Sequence, residues 1–398
     1  MKPRSRRIST LKPAAVHHNP MDPGSILPAL PTGARILVVR LRSIGDIVLL
    51  TPALRLLKDW RPDLRISAVI ESRFRELLEN NPDVEEILNP GEGRGWEKIK
   101  SRLQAVREIR RRNFSLCVNL HGGPASVFLT RWSSAGIKVG FHHYRARSAY
   151  NILVPDAKLI LDQTTVHTAE LQAAAFFHLG LPRRKVPGAR LVVTPHHEAR
   201  WEEILAAMRV PRDQEYALIH PTALYATKQW APRNFALLGN YLQREKGLVP
   251  IYSCGPGESS VLDAVEQASG AAIRRLDGAS LGEFAAALAG ARLFVGNDSG
   301  PAHMAQALQR PLVVIFGSSS SVIWGPWPRA DSLAATPQDR TANVARVVQN
   351  FYDCNPCPGD RCYRFERPEC ILSVSYEQVQ AAVDEVLERS RGHVLKGM

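Results

Sequence analysis

The feature that most constrains this chain is a regular alternation of two hydrophobic patterns. Short apolar runs of the buried-strand type are separated by longer stretches with helical spacing. Ile36-Leu37-Val38-Val39 leads through Arg42-Ser43-Ile44-Gly45 into a helical pattern from Asp46 to Trp60. Strand patterns recur at Arg65–Ile70, Val84–Leu88 and Leu116–Leu120, with helical patterns at Phe74–Asn80 and Trp96–Arg112 between them. A run that is apolar on both faces must be covered on both faces, so this order predicts parallel βαβ units. The second half repeats it, with strands at Tyr216–His220, Val249–Cys254, Leu293–Val295 and Leu312–Phe316. Helices are expected there at Phe235–Glu245, Leu281–Ala289 and Ala302–Leu308.

A length of 398 residues suits two such domains at roughly 150 residues each. The expected class is α/β, with two Rossmann-like domains facing each other across a cleft. Residues 1–33 hold six prolines and no apolar period, and are expected to be a disordered basic tail containing Met21 as an alternative start. The first domain is placed at residues 34–190 and the second at 191–350, joined through the Pro-, Gly- and Arg-rich stretch Gly180–Pro195. Residues 351–398 form a cysteine-bearing segment with a C-terminal helix near Glu377–Leu387. A hydrophobic content of 45% excludes wholesale disorder. No run approaches the roughly 18 apolar residues of a membrane span, and no apolar leader is followed by a cleavage site. A cytoplasmic location is expected.

Charge separates the halves. Lys and Arg total 51 against 38 Asp and Glu, a net of +13. The tail carries +4, residues 34–195 carry +11 and residues 196–398 carry −2. Nucleic acid, an anionic membrane surface and an acidic substrate are the partners such an excess invites.

In doubly wound sheets ligands bind beyond the carboxyl ends of strands, so the loops there hold the candidates. The first is Arg40-Leu41-Arg42-Ser43-Ile44-Gly45-Asp46. Asp46 reads either as a helix N-cap or as a general base at the cleft mouth. The absence of G-x-G-x-x-G counts against a dinucleotide oxidoreductase. The second loop, Pro221–Gln229, offers Lys228 with the hydroxyls of Thr222 and Thr227. The third, Gly296-Asn297-Asp298-Ser299-Gly300-Pro301-Ala302-His303, puts Pro301 in a first helical turn, where backbone N–H groups face the cleft as in anion sites.

The segments ILVVRLRSIGDIVLL (36–50), TKQWAPRNF (227–235) and GNDSGPAHMAQALQRPLVVIF (296–316), in this order, resemble glycosyltransferase family 9, the heptosyltransferases of lipopolysaccharide inner-core synthesis. The similarity runs from Ala34 to the C-terminus and is closest to the heptosyltransferase II-like members. It implies a GT-B fold, with the C-terminal helix crossing back over both domains. It also implies an ADP-heptose donor on the C-terminal domain and a phosphorylated Kdo–lipid A acceptor on the N-terminal one. Transfer would be inverting and would require no metal or other cofactor for catalysis.

By this resemblance Asp46 is the general base and Lys228 neutralises the departing diphosphate. Thr222, Thr227, Asp298, Ser299, Gly300 and His303 would contact the donor, and Glu258 would hold the ribose. Arg40, Arg42, Arg73, Arg145, Arg147 and His121 are the candidates for the acidic acceptor. The enzyme would lie peripherally on the inner face of the cytoplasmic membrane, and nucleic acid is not an expected partner. Another nucleotide-sugar or glycan acceptor is the enzymatic alternative.

Four cysteines crowd into 17 residues as Cys354-x2-Cys357-x4-Cys362-x7-Cys370, which suits a closed tetrahedral zinc site of structural type. A C-x-P-C-led cluster also occurs in heptosyltransferase II-like proteins. A basic zinc-containing binding protein without catalysis is the contrasting class. Residues 351–398, however, hold six basic and eight acidic groups, which argues against a nucleic-acid module.

Overall fold

A computed structural model describes residues 22–328 and 345–394. It contains two six-stranded sheets, both wholly parallel. The first is built from β1 (Arg35–Val39), β2 (Arg65–Val69), β3 (Glu86–Leu88), β4 (Leu116–Asn119), β5 (Ile137–Phe141) and β6 (Ile152–Val154), in the order β3-β2-β1-β4-β5-β6. The second is built from β7 (Tyr216–His220), β8 (Val249–Ser253), β9 (Arg274–Leu276), β10 (Leu293–Asn297), β11 (Leu312–Phe316) and β12 (Ala345–Gln349), in the order β12-β11-β10-β7-β8-β9.

Each sheet is wound in both directions from its middle. The order reverses between β1 and β4 in the first sheet and between β7 and β10 in the second. Those two switch points open the crevices where ligands of such sheets sit. The loops that carry Asp46, His121, Lys228 and Asp298 each leave one of these four strands, whereas Arg73 follows β2, Arg145 and Arg147 follow β5, and Glu258 follows β8.

The central strands are apolar on both faces because both are covered. In the first domain Ile36 and Val38 join a core with Leu54, Leu57, Ala173 and Phe176, while Leu37 and Val39 pack on Val106, Ile109 and Leu129. One buried cluster crosses the domain boundary, running from Ile47, Val48 and Phe74 to Phe284, Met304 and Phe316. The two domains therefore share apolar surface behind the cleft.

The expected helix from Asp46 to Trp60 is two helices, Ile44–Val48 and Thr51–Trp60, because Pro52 restarts the ladder at a new first turn. The expected tail is also corrected in part. Residues 26–29 are helical, Ile26, Leu27 and Leu30 are buried, and the Leu27 N–H donates to the Leu179 carbonyl at 2.9 Å. The remainder of that tail, residues 1–21, lies outside the described residues. Helix Tyr376–Val394 packs Val379, Val383 and Val386 against the second sheet. The return contact to the first domain is made instead by residues 321–328. Thr168 Oγ1 donates to the Ile323 carbonyl, Trp327 Nε1 donates to the Pro187 carbonyl at 2.8 Å, and the Trp327 ring stacks on His167.

Candidate active site

Helix Ile44–Val48 begins directly after β1, with Ser43 as its N-cap and Asp46 as its third residue. The Ser43 hydroxyl and backbone N–H both donate to Asp46 Oδ2, at 3.2 and 3.5 Å. Asp46 is thus an N-cap partner, as its position suggests, yet this uses one carboxylate oxygen only. The other oxygen pairs with Arg40, whose guanidinium also donates to the Leu120 carbonyl at the end of β4. Gln172 Nε2 donates to the Asp46 carbonyl at 3.0 Å and fixes the same turn from behind. The carboxylate stays part-exposed at the cleft.

The loop after β4 completes this side. Asn119 Oδ1 accepts from the His121 and Gly122 N–H groups at 2.9 and 3.0 Å and curls the loop toward β1. Burial, followed by the positive charges of Arg40 and Arg42, lowers the His121 pKa, while Asp46 opposes that shift. His121, Arg40, Arg42 and Asp46 therefore form one electrostatic cluster. Tyr144 belongs to it too: a Cβ on Gly122 would lie 2.4 Å from its ring, and both Arg40 and Asp46 act on its hydroxyl. The other acceptor candidates are less committed. Arg73 pairs with Glu71 and stacks on Phe74, and Arg145 and Arg147 are exposed in the loop that carries Tyr144.

Across the cleft, Lys228 Nζ donates to Asp298 Oδ2 at 2.8 Å. Asn297, fully buried at the end of β10, accepts from the Trp230 N–H at 3.0 Å and donates to the Pro221 carbonyl at 2.8 Å. It ties the lysine loop to the Asp298 turn. Helix Gly300–Ala307 opens beside this pair with Ser299 as N-cap, whose hydroxyl makes no cap hydrogen bond. Ser299 Oγ, Ser318 Oγ and His303 Nδ1 are buried and have no hydrogen-bond partner among the described residues. A buried polar atom without a partner is costly, so three of them around one lysine mark a place for a polar ligand.

The two sides meet closely. A Cβ on Gly45 would lie 2.6 Å from His303 Cδ2, and one on Gly300 would lie 2.6 Å from Ile44 Cβ. Only glycine lets the two helix starts approach this far. Burial lowers the His303 pKa so that the ring is neutral at pH 7, and Asp298, Asp46 and Lys228 all act on it electrostatically. One neutral imidazole therefore spans the base candidate of one domain and the cation of the other.

Two of the expected donor contacts have hydrogen-bond partners within the protein. Thr222 is fully buried and its hydroxyl pairs with His220 Nε2 at 2.9 Å, in a chain that continues from His220 Nδ1 to Ser253 Oγ at 3.0 Å. Thr227 is buried and donates to the Gly359 carbonyl, which anchors the cysteine segment to the lysine loop. Both hydroxyls help to hold the loop that carries Lys228. Glu258 accepts from the Gly255 N–H at 2.9 Å through one oxygen, which leaves the other free at the end of β8.

Cys354, Cys357, Cys362 and Cys370 line one pocket of about 190 Å³ together with Thr227 and Ser318. Burial, then the neighbouring thiols of Cys357, Cys354 and Cys362, push the Cys370 thiol up to about 11. Among the described residues no group of three or more His, Cys, Asp or Glu is arranged to hold a metal ion. The closed tetrahedral shell expected from the spacing is thus not preformed, although four soft donors share one pocket.

Two facing α/β domains with a carboxylate on one wall and a lysine beside a helix N-terminus on the other define a glycosyltransferase of the GT-B fold. Residues 102–350 match glycosyltransferase family 9 (heptosyltransferase), and the chain belongs to that family. It is 26% identical over 300 residues to lipopolysaccharide heptosyltransferase 3 of Escherichia coli (strain K12), covering 72% of this chain and 83% of the relative. The fold is similar to that of a family 9 glycosyltransferase from Veillonella parvula DSM 2008, with a TM-score of 0.74, 22% identity and 90% and 98% of the two chains covered. It is similar as well to that of the ADP-heptose lipopolysaccharide heptosyltransferase II of E. coli, with a TM-score of 0.71, 18% identity and coverage of 90% and 99%.

Proposed function

We propose that this enzyme moves heptose from ADP-heptose onto a phosphorylated lipopolysaccharide inner-core acceptor, with inversion at the anomeric carbon. The observation that carries this reading is the convergence of Asp46 with the Lys228–Asp298 pair around His303. The acceptor hydroxyl gives its proton to Asp46 as its oxygen attacks the anomeric carbon. The bond from that carbon to the diphosphate oxygen breaks, and the electron pair leaves with ADP. Lys228 and the N–H groups opening helix Gly300–Ala307 stabilise the charge that develops, the kind of preorganised stabilisation that lowers such barriers most. Because base and cation stand on opposite walls, attack and departure occur on opposite faces of the sugar, which gives inversion.

The acceptor side is basic, with the net +11 of residues 34–195 and with Arg40, Arg42 and His121 beside the base. That suits a phosphorylated glycan. The relatives named lipopolysaccharide heptosyltransferases support heptose as the sugar. Membership of an enzyme family removes the non-catalytic alternative. The four-cysteine pocket is read as a structural metal site beside the donor wall: a metal there would clamp the segment whose Gly359 carbonyl holds Thr227, one residue before Lys228. The donor is tested by a thermal-shift screen of nucleotide sugars. Selective stabilisation by ADP-heptose supports the reading, and equal or stronger stabilisation by UDP- or GDP-sugars contradicts it.

A further inference from the structure

Helix Gly95–Arg111 carries six basic and two acidic residues. Its inner face is satisfied: Ala105, Val106 and Ile109 are buried against Leu37, Val39 and Cys117 of the first sheet. Its outer face is unusual. Trp96 is 83% exposed, Ile99 51% and Leu103 45%. At 3.6 residues per turn these three fall within an arc of about 60°. Lys100, Arg107 and Arg110 lie on the same side, and none of the three makes an ion pair among the described residues. Glu97 and Glu108 are turned away from the stripe by the same geometry. Nothing in the fold needs this combination, because the buried contacts of the helix come from Ala105, Val106 and Ile109.

We infer that this face docks on an anionic lipid bilayer, with Trp96, Ile99 and Leu103 entering the interface and Lys100, Arg107 and Arg110 meeting the headgroups. Tryptophan settles at the membrane–water boundary, and long cationic side chains keep their charge in the headgroups while their stems cover apolar surface. The surrounding domain is strongly basic, so its field favours an anionic surface. The helix follows β3, so its Trp96 end lies at the carboxyl edge of the sheet, the edge that carries Asp46. An acceptor anchored in the bilayer would then reach the base without leaving the membrane. This part of the inference rests on the lipid-linked acceptor proposed above; the docking itself does not.

The test is co-sedimentation of the full chain with phosphatidylcholine vesicles, with and without phosphatidylglycerol. Trp96→Ser/Ile99→Ser/Leu103→Ser is compared with Lys100→Glu/Arg107→Glu/Arg110→Glu; other basic residues stay constant in both. The wild type is expected to bind the anionic vesicles, less so as salt rises, and each triple variant to bind about tenfold more weakly or worse. Melting temperatures should be unchanged, since the altered side chains are exposed. Vesicle binding unaffected by both variants, absent in the wild type or equal on neutral vesicles would overturn the inference. So would a lipid-free wild-type dimer that the Ser variant dissolves, because the face would then serve a second copy. Transfer to a delipidated acceptor in solution is expected to be the same for all three proteins. If that transfer is missing while docking follows the helix, the acceptor reading alone fails.

Discussion

Replacing Lys228 by Met separates what the lysine does for the fold from what it does for the reaction. Its ammonium stands 2.8 Å from an Asp298 carboxylate whose side chain is only 5% exposed, while Lys228 itself is 22% exposed. Removing the cation leaves a nearly buried, uncompensated charge, and breaking such a pair from one side costs about 3 kcal/mol. At roughly 2–4 °C per kcal/mol the melting temperature should fall by about 6–12 °C. Adding Asp298→Asn removes the orphaned charge, so the double variant should melt within about 2 °C of the wild type if the cost is electrostatic. Turnover should behave differently. Losing a preorganised cation opposite a departing diphosphate costs on the order of 10²–10³ in kcat, and neutralising Asp298 restores nothing there. Differential scanning fluorimetry and steady-state transfer rates on the two variants decide the matter. Recovery of activity together with stability in the double variant would show that Lys228 only props up the fold, and the mechanism would fail.

Three further outcomes follow from particular contacts. Gly45→Val places a side chain where His303 Cδ2 is 2.6 Å away, so the two helix starts must part; a stability loss of about 1–3 kcal/mol and a fall in kcat with donor affinity retained are expected, read by calorimetry and nucleotide titration. Burial holds the His220 pKa down to about 4 against an ordinary value of 6.5. The unfolded chain therefore takes up a proton that the folded protein refuses as pH falls from about 6.5 to about 4, and stability declines by about 3 kcal/mol across that window, flattening below it; in chemical denaturation against pH, His220→Gln should lose that slope. The cysteine pocket predicts one equivalent of zinc in the purified protein and a lowered melting temperature for Cys357→Ser; four freely titrating thiols with no bound zinc would contradict the structural-metal reading.

Much of the site was legible because its loops leave strands whose apolar runs and Gly–Asp or Gly–Pro punctuation are local signals. Asp46, Lys228, Asp298 and Ser299 lie where strand ends put them. The partners of the Thr222 and Thr227 hydroxyls were not legible, because they are set by tertiary packing. Gly359 lies 132 residues beyond Thr227, and no pattern in Pro221–Gln229 announces it. Tyr144 and Gln172 were missed likewise, the first because it reaches the base from a loop two strands away, the second because it acts from a buried helix on a backbone carbonyl. Asn297 stood inside the GNDSGP run, and its position at a strand end beside an aspartate was the signal available. The edge strand β9 escaped because it is short and carries Arg274 and Arg275, a composition that hides an edge position. Burial of Ile26 and Leu27 could not be read from a stretch dominated by prolines.

The central claim is that a carboxylate on the first domain acts on an acceptor while the second domain holds the donor. Asp46→Asn keeps the size of the side chain and an oxygen for the Ser43 cap, and removes the proton acceptor. Transfer measured beside ADP-heptose affinity on the same preparation tests the claim directly. A loss of about 10²-fold or more in kcat is expected, with donor affinity close to wild type. Near-wild-type turnover in Asp46→Asn, or a loss of donor binding that matches the loss of rate, would contradict it.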